Sequence, residues 1–178
     1  MEWADVQQQM RKVARATGAL ARAALWISGA GLVLMTVLIA CQVFWRYVLN
    51  DSISWTEPGS VMIMGWFIFL GAAVGIREGY HLSFDIVQHL VSERVKLWMQ
   101  SISDLTVIAF GCGMVVYGTE LAVNAAPNVL PSLGISGAFD FAPIVAGGVL
   151  VVLFSIERIA RRLAGLPTAL FGQTELEE

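Results

Sequence analysis

An all-α integral membrane protein with four transmembrane helices is what this sequence predicts, on three observations. The chain is apolar and poor in charge: 57% of its 178 residues are hydrophobic and 14% charged, with a mean hydropathy of +0.69. A water-soluble domain carries about a quarter charged residues. The apolar residues come in long blocks, four of which approach the roughly 20 residues a helix needs to cross about 30 Å of hydrocarbon. The basic residues fall on alternate connections between those blocks, as the sidedness of insertion requires.

The first two spans, residues 23–43 and 59–76, are uncharged throughout. The third, 97–119, contains one acid, Asp104. The fourth, 141–156, is short but extendable at both ends. Helix is the form to expect, because lipid offers no partner to an unpaired backbone group. Strands of a membrane barrel would alternate polar and apolar residues, and these runs do not. The chain, 1–178, reads as one membrane domain. The polar stretch 1–22 followed by an overlong apolar run reads as a retained first span rather than a cleavable signal.

Of the 11 Lys and Arg residues, only Arg46 lies between spans one and two, and none lies between spans three and four. The rest share the other face, which places both termini in the cytoplasm. The second outward connection, 120–140, carries Pro127, Pro131, Gly134 and Gly137 and should be built of turns. Trp45, Tyr47 and Trp55 then cluster at the outer boundary and Trp26, Tyr80 and Trp98 at the inner one, where an aromatic belt sits. Residues 83–96, with Val87, Leu90, Val91 and Val95 at helical spacing, predict an amphipathic helix on the inner surface that runs into span three. Residues 7–22 suggest a second such helix.

Several function classes lose support. The net charge is −3 and no basic stripe is interleaved with aromatics, so nucleic-acid binding is not indicated. Phosphate-cradling loops, nucleophile elbows, zinc-protease motifs and paired catalytic acids are missing from the sequence, which argues against an enzyme. His81 and His89 read as surface residues, since zinc would need further ligands at sensible spacing, and no cofactor or metal is expected. Cys41 and Cys112 lie in apolar segments without CxxC spacing and read as small buried hydrophobes.

The remaining polar and small residues mark candidate contacts. A carboxylate inside a span is costly, so Asp104 is either an ion or proton site or a structural hydrogen-bonding group to Ser101, Ser103 or a partner helix. No second intramembrane acid or base stands out to build a relay with it. Gly71 and Gly75 form a GxxxG face that lets helices approach closely. Trp66, near mid-span, needs a helix to pack on or a partner for its indole N–H. In the connector, Ser54 and Glu57 fit a capping box and Thr56 is an alternative cap. Arg46 beside Trp45, Tyr47 and Trp55 calls for Asp51, Glu57 or a lipid phosphate as counter-charge.

These residues are also ordered in a familiar way. Arg46-Tyr47 after span one, Trp55-Thr56-Glu57 before span two, Leu70-Gly71-Ala72-Ala73 within it, and Arg77-Glu78-Gly79-Tyr80-His81 leading to Asp85 resemble the DctQ-type small membrane subunit of TRAP (tripartite ATP-independent periplasmic) transporters. The stretch "LPSLGISGAFDFAPI" resembles that family's proline-containing outer loop. Pro58 stands where the family often has a second acid, so no acidic-pair role carries over.

The resemblance implies a bacterial inner-membrane scaffold that braces a large multi-span subunit, which holds the substrate and sodium sites. A periplasmic binding protein would deliver an organic anion, typically a carboxylate, and a sodium gradient would drive transport. Arg46, Tyr47, Trp55 and Glu57 at the outer side, Trp66, Gly71 and Gly75 in span two, and Arg77, His81 and Asp85 at the inner turn would then contact partners or lipid. Two rivals remain at this stage: a quinone-linked redox protein using Cys41 and Cys112, and a self-sufficient homo-oligomeric channel or exporter using Asp104.

Overall fold

The structure, a computed structural model, describes residues 2–51, 53–78 and 93–163. They form four long helices: α1 (Glu2–Val48), α2 (Thr56–Glu78), α3 (Glu93–Ala125) and α4 (Ala138–Leu163). Each contains a stretch long and apolar enough to span a membrane. At 1.5 Å per residue the 47 residues of α1 extend about 70 Å, far beyond a bilayer core. Residues 7–22 are therefore not a separate surface helix but the first part of one unbroken rod. Nothing in 2–48 stops it: the segment has no proline, and its glycines are isolated among good helix formers.

The expected surface helix at 83–96 falls mostly outside the described residues, and its last four belong to the first turn of α3. His81, Asp85, Gly79 and Tyr80 also lie outside them.

The helices pack as a row in the order α1, α2, α4, α3, with slight contact between α1 and α4. A closed bundle is not compelled in lipid, because apolar surface gains nothing by leaving acyl chains; close packing and polar links decide who touches whom. The core along the row is small: Ala21 and Ala24 of α1, Leu70, Ala73 and Val74 of α2, and Val151 and Phe154 of α4. Trp66 packs against this core, so it faces the chain's own helices.

Glycines set each crossing. Gly71 of α2 admits Ser28 of α1, whose hydroxyl donates 2.7 Å to the Phe67 carbonyl. Between the parallel helices α2 and α4 the notches are reciprocal: Gly65 receives Pro143, and Gly147 receives Phe69. A methyl group on Gly147 would stand 2.6 Å from the Phe69 Cβ. On the far side, Gly111 and Gly118 of α3 meet Gly148, Val151, Val152, Ile144 and Val145 of α4. The GxxxG reading picked out Gly71 and missed the glycines of α3 and α4, whose spacing is irregular. Gly75 is half-buried on α2.

At one end of the row, α1 joins α2 and α3 joins α4; we call it the loop end. Trp55 caps α2 there, between the two residues expected to do so: its carbonyl accepts the Gly59 N–H at 3.0 Å. Thr56 is the first helical residue, and its hydroxyl donates back to the Ile53 carbonyl. The α3–α4 connection is turn-built. Leu130 N–H donates to the Ile135 carbonyl and Gly137 N–H to the Asn128 carbonyl, with Gly134 at φ 67° making the reversal. Glycine takes that left-handed conformation without steric cost.

Cys41 and Cys112 are free and exposed on the surfaces of α1 and α3. That corrects the expectation that they are buried. Their exposure follows from the row packing, which leaves most of both outer helices uncovered: 6% of the most apolar stretch of α1 is buried, against 33% for α4.

Candidate functional site

Opposite the loop end, the C-termini of α2 and α4 meet the early part of α3 and the N-terminal half of α1. Here the sequence places "IRE" at the close of α2 and "SIERIARRL" at the close of α4. Helical spacing puts Glu157 and Arg161 on one face and Arg158 and Arg162 on the next.

Two ion-pair groups result. In the first, Arg77 of α2 holds Glu157 of α4 through one edge of its guanidinium, Nε to Oε2 at 3.2 Å and Nη2 to Oε1 at 3.3 Å. This is the fork geometry that suits a guanidinium–carboxylate pair. Arg161 closes on the same carboxylate at 3.7 Å, and Glu78 lies 3.4 Å from Arg77. Arg77 Nη2 also donates to the Ala14 carbonyl of α1 at 3.4 Å, and its guanidinium lies over the fully buried Phe154 ring, 5.9 Å from the centroid. One side chain therefore ties three helices together.

In the second group, Asp104 of α3 receives Arg162 at 2.5 Å and Arg158 at 3.6 Å, both from α4. Arg162 also donates to the Ser101 hydroxyl at 3.4 Å, and Arg158 to the Ile76 carbonyl of α2 at 3.4 Å. Carbonyls in the last turn of a helix lack intrahelical donors, so a guanidinium there also complements the helix dipole. Asp104 is 3% exposed. Its basic partners were present in the sequence but counted only as markers of sidedness. The premise that no basic residue was at hand for Asp104 is therefore corrected: Arg158 and Arg162 stand beside it, because α4 continues as helix to Leu163, past the expected span 141–156, alongside α3. Glu157 was missed altogether. The available signal was an acid embedded in a basic helix end, where the opposite sign would be expected of every residue.

Three of the four expected outer residues meet at the loop end. Arg46, Tyr47 and Glu57 line one groove of about 330 Å³ between α1 and α2, together with Gln42, Ser60 and an apolar floor that includes Met35 and Met64. Arg46 stands over the Tyr47 ring, 5.9 Å from its centroid. Neither Asp51 nor Glu57 pairs with it among the described residues. Trp55 lies apart from this groove, with its ring against Gly59. Among the described residues no group of acids, histidines or cysteines is arranged to hold a metal ion.

Four apolar helices, a buried ionic cluster at one end and largely uncovered flanks define a multi-pass helical membrane protein. Residues 35–165 match the family described as "Tripartite ATP-independent periplasmic transporters, DctQ component", and the chain belongs to that family, a transporter component rather than an enzyme. It is similar to the C4-dicarboxylate TRAP transporter small permease protein DctQ of Vibrio cholerae, 31% identical over 62 residues, which cover 35% of this chain and 27% of that relative. A Haemophilus influenzae protein, provisionally named a TRAP transporter small permease protein, is 27% identical over 72% of this chain and 80% of its own length. The sialic acid TRAP transporter small permease protein SiaQ of Vibrio cholerae is 26% identical over 71% of this chain and 75% of its own length. No solved structure matches the chain.

Proposed function

We propose that this chain is the scaffold subunit of a TRAP transporter, bracing a large multi-span subunit that carries the substrate and sodium sites. One observation carries the reading. Every charged side chain found buried among the described residues, namely Arg77, Asp104, Glu157 and Arg161, is engaged in an ion pair within the chain, and the pairs of Arg77 with Glu157 and of Asp104 with Arg162 hold its own helices together. Intramembrane charges that served a solute path would face a cavity instead. The uncovered apolar flanks of α1 and α3 offer the surface that a membrane partner would need.

The remaining parts of the reading have their own supports. The concentration of basic residues at the charged end favours a cytoplasmic position for it and for both termini. Bacterial relatives named as TRAP small permeases favour the inner membrane, and a periplasmic binding protein as third component. The substrates in their names, a C4-dicarboxylate and sialic acid, favour an organic anion as cargo, and the sodium gradient follows from the resemblance alone. His81 and Asp85 would lie on the inner connection and meet lipid or the large subunit.

The test is a pull-down of tagged chain from its native membrane in mild detergent, with mass spectrometry of what accompanies it. A large multi-span protein in near-equal amount is expected. A chain that emerges alone, and that moves solute when reconstituted by itself in liposomes, would overturn the scaffold reading.

A further inference from the structure

The groove at the loop end holds chemistry that the ionic cluster does not absorb. Its floor is apolar, formed by Ile39 of α1 and by Val61 and Met64 of α2. Its polar lining brings Arg46 and Glu57 to the same cavity. They carry opposite charges, yet among the described residues neither makes an ion pair with the other or with anything else. The Arg46 guanidinium is held over the Tyr47 ring instead. Trp45 and Trp55, both exposed nearby, place this level at the membrane–water boundary, where headgroups lie.

A ligand that fits must satisfy both charges and tolerate the apolar floor. A carboxylate from a protein partner would neutralise Arg46 and leave Glu57 beside a second acid. A free anion would have no use for the floor. An aminophospholipid carries a phosphate and an ammonium separated by a short linker, above acyl chains. We propose that the groove seats one such lipid, with its phosphate on Arg46, its ammonium toward Glu57 and part of one acyl chain along Ile39, Val61 and Met64. The volume, about 330 Å³, suits a headgroup with the upper part of a chain and lies within the roughly 300–1,000 Å³ usual for small-ligand sites. This inference stands on one chain's geometry and holds whichever subunit the chain braces.

The test uses the full chain purified in detergent, stripped of lipid and titrated with phosphatidylethanolamine, phosphatidylglycerol and diacylglycerol, with bound adducts read by native mass spectrometry. One phosphatidylethanolamine is expected to bind most tightly. Arg46→Gln should weaken it about tenfold or more, as loss of a charge-assisted hydrogen bond implies. Arg46→Lys should retain more binding than Arg46→Gln, and Glu57→Gln should erase the preference for phosphatidylethanolamine over phosphatidylglycerol. Diacylglycerol should bind the parent and Arg46→Gln alike. Both side chains are exposed, so unchanged melting temperatures are expected and serve as the folding control. Equal phosphatidylethanolamine affinity in parent and Arg46→Gln would overturn the proposal. So would displacement of the lipid by inorganic phosphate, or an Arg46→Gln chain that keeps its lipid and loses a protein from the pull-down.

Discussion

Arg77 and Glu157, 80 positions apart, form a two-pronged ion pair that joins the C-terminal ends of α2 and α4. Their side chains are 8% and 4% exposed, so solvent screens the pair little. A buried pair of this kind often adds little net stability over apolar replacements, but removing one partner strands the other, at about 3–5 kcal/mol. Glu157→Gln should therefore lower the thermal stability of the purified chain sharply. Combining it with Arg77→Leu should recover part of the loss. A melting temperature unmoved by Glu157→Gln would show that the pair does not hold the two helices.

Asp104 distinguishes the scaffold from a self-sufficient channel. Asp104→Asn leaves Arg158 and Arg162 without their carboxylate. Those arginines are 14% and 16% exposed, so the expected cost is smaller, about 1–3 kcal/mol. Adding Arg162→Gln should return some stability. If Asp104→Asn abolished transport by the assembled complex without loss of stability or assembly, the side chain would have a role in the solute path.

The glycines offer a paired test. Gly147→Ala forces a methyl against the Phe69 Cβ and should destabilise by about 1–3 kcal/mol. At Gly113 of α3 an added methyl meets nothing within 4 Å, so Gly113→Ala should be neutral or stabilising by up to about 1 kcal/mol, from helix propensity alone. Equal melting temperatures for the two variants would contradict the close crossing of α2 and α4.

Ser28 and Gly71 should be coupled. A methyl on Gly71 would lie 2.9 Å from the Ser28 hydroxyl, which also bonds to Phe67. Ser28→Ala alone should cost about 0.6 kcal/mol, the average for such bonds within membranes. In a Gly71→Ala background it should cost less or even help, because it removes the atom in the way. Strict additivity in a double-mutant cycle would place the two residues apart.

Cys41 and Cys112 report on the flanks. Both lie on surfaces that the chain's own helices leave uncovered. The one whose replacement by tryptophan weakens assembly identifies whether α1 or α3 faces the partner. Replacing both with serine should leave transport intact, whereas a redox protein would lose its activity.

The number of spans and the clustering of basic residues at one end were written in local sequence, because hydropathy and charge act where they stand along the chain. So was the placing of Arg46 and Glu57 along one groove, since a short connector between antiparallel helices leaves their ends adjacent, although the ion pair suggested for them does not form there. The row order, the partners of Asp104 and the Arg77–Glu157 pair were decided by tertiary structure alone. Those depend on how each helix is rotated about its axis. In lipid, where apolar faces have no preferred inside, that rotation follows from notches such as Gly65, Gly147 and Gly148, matched to residues on another helix.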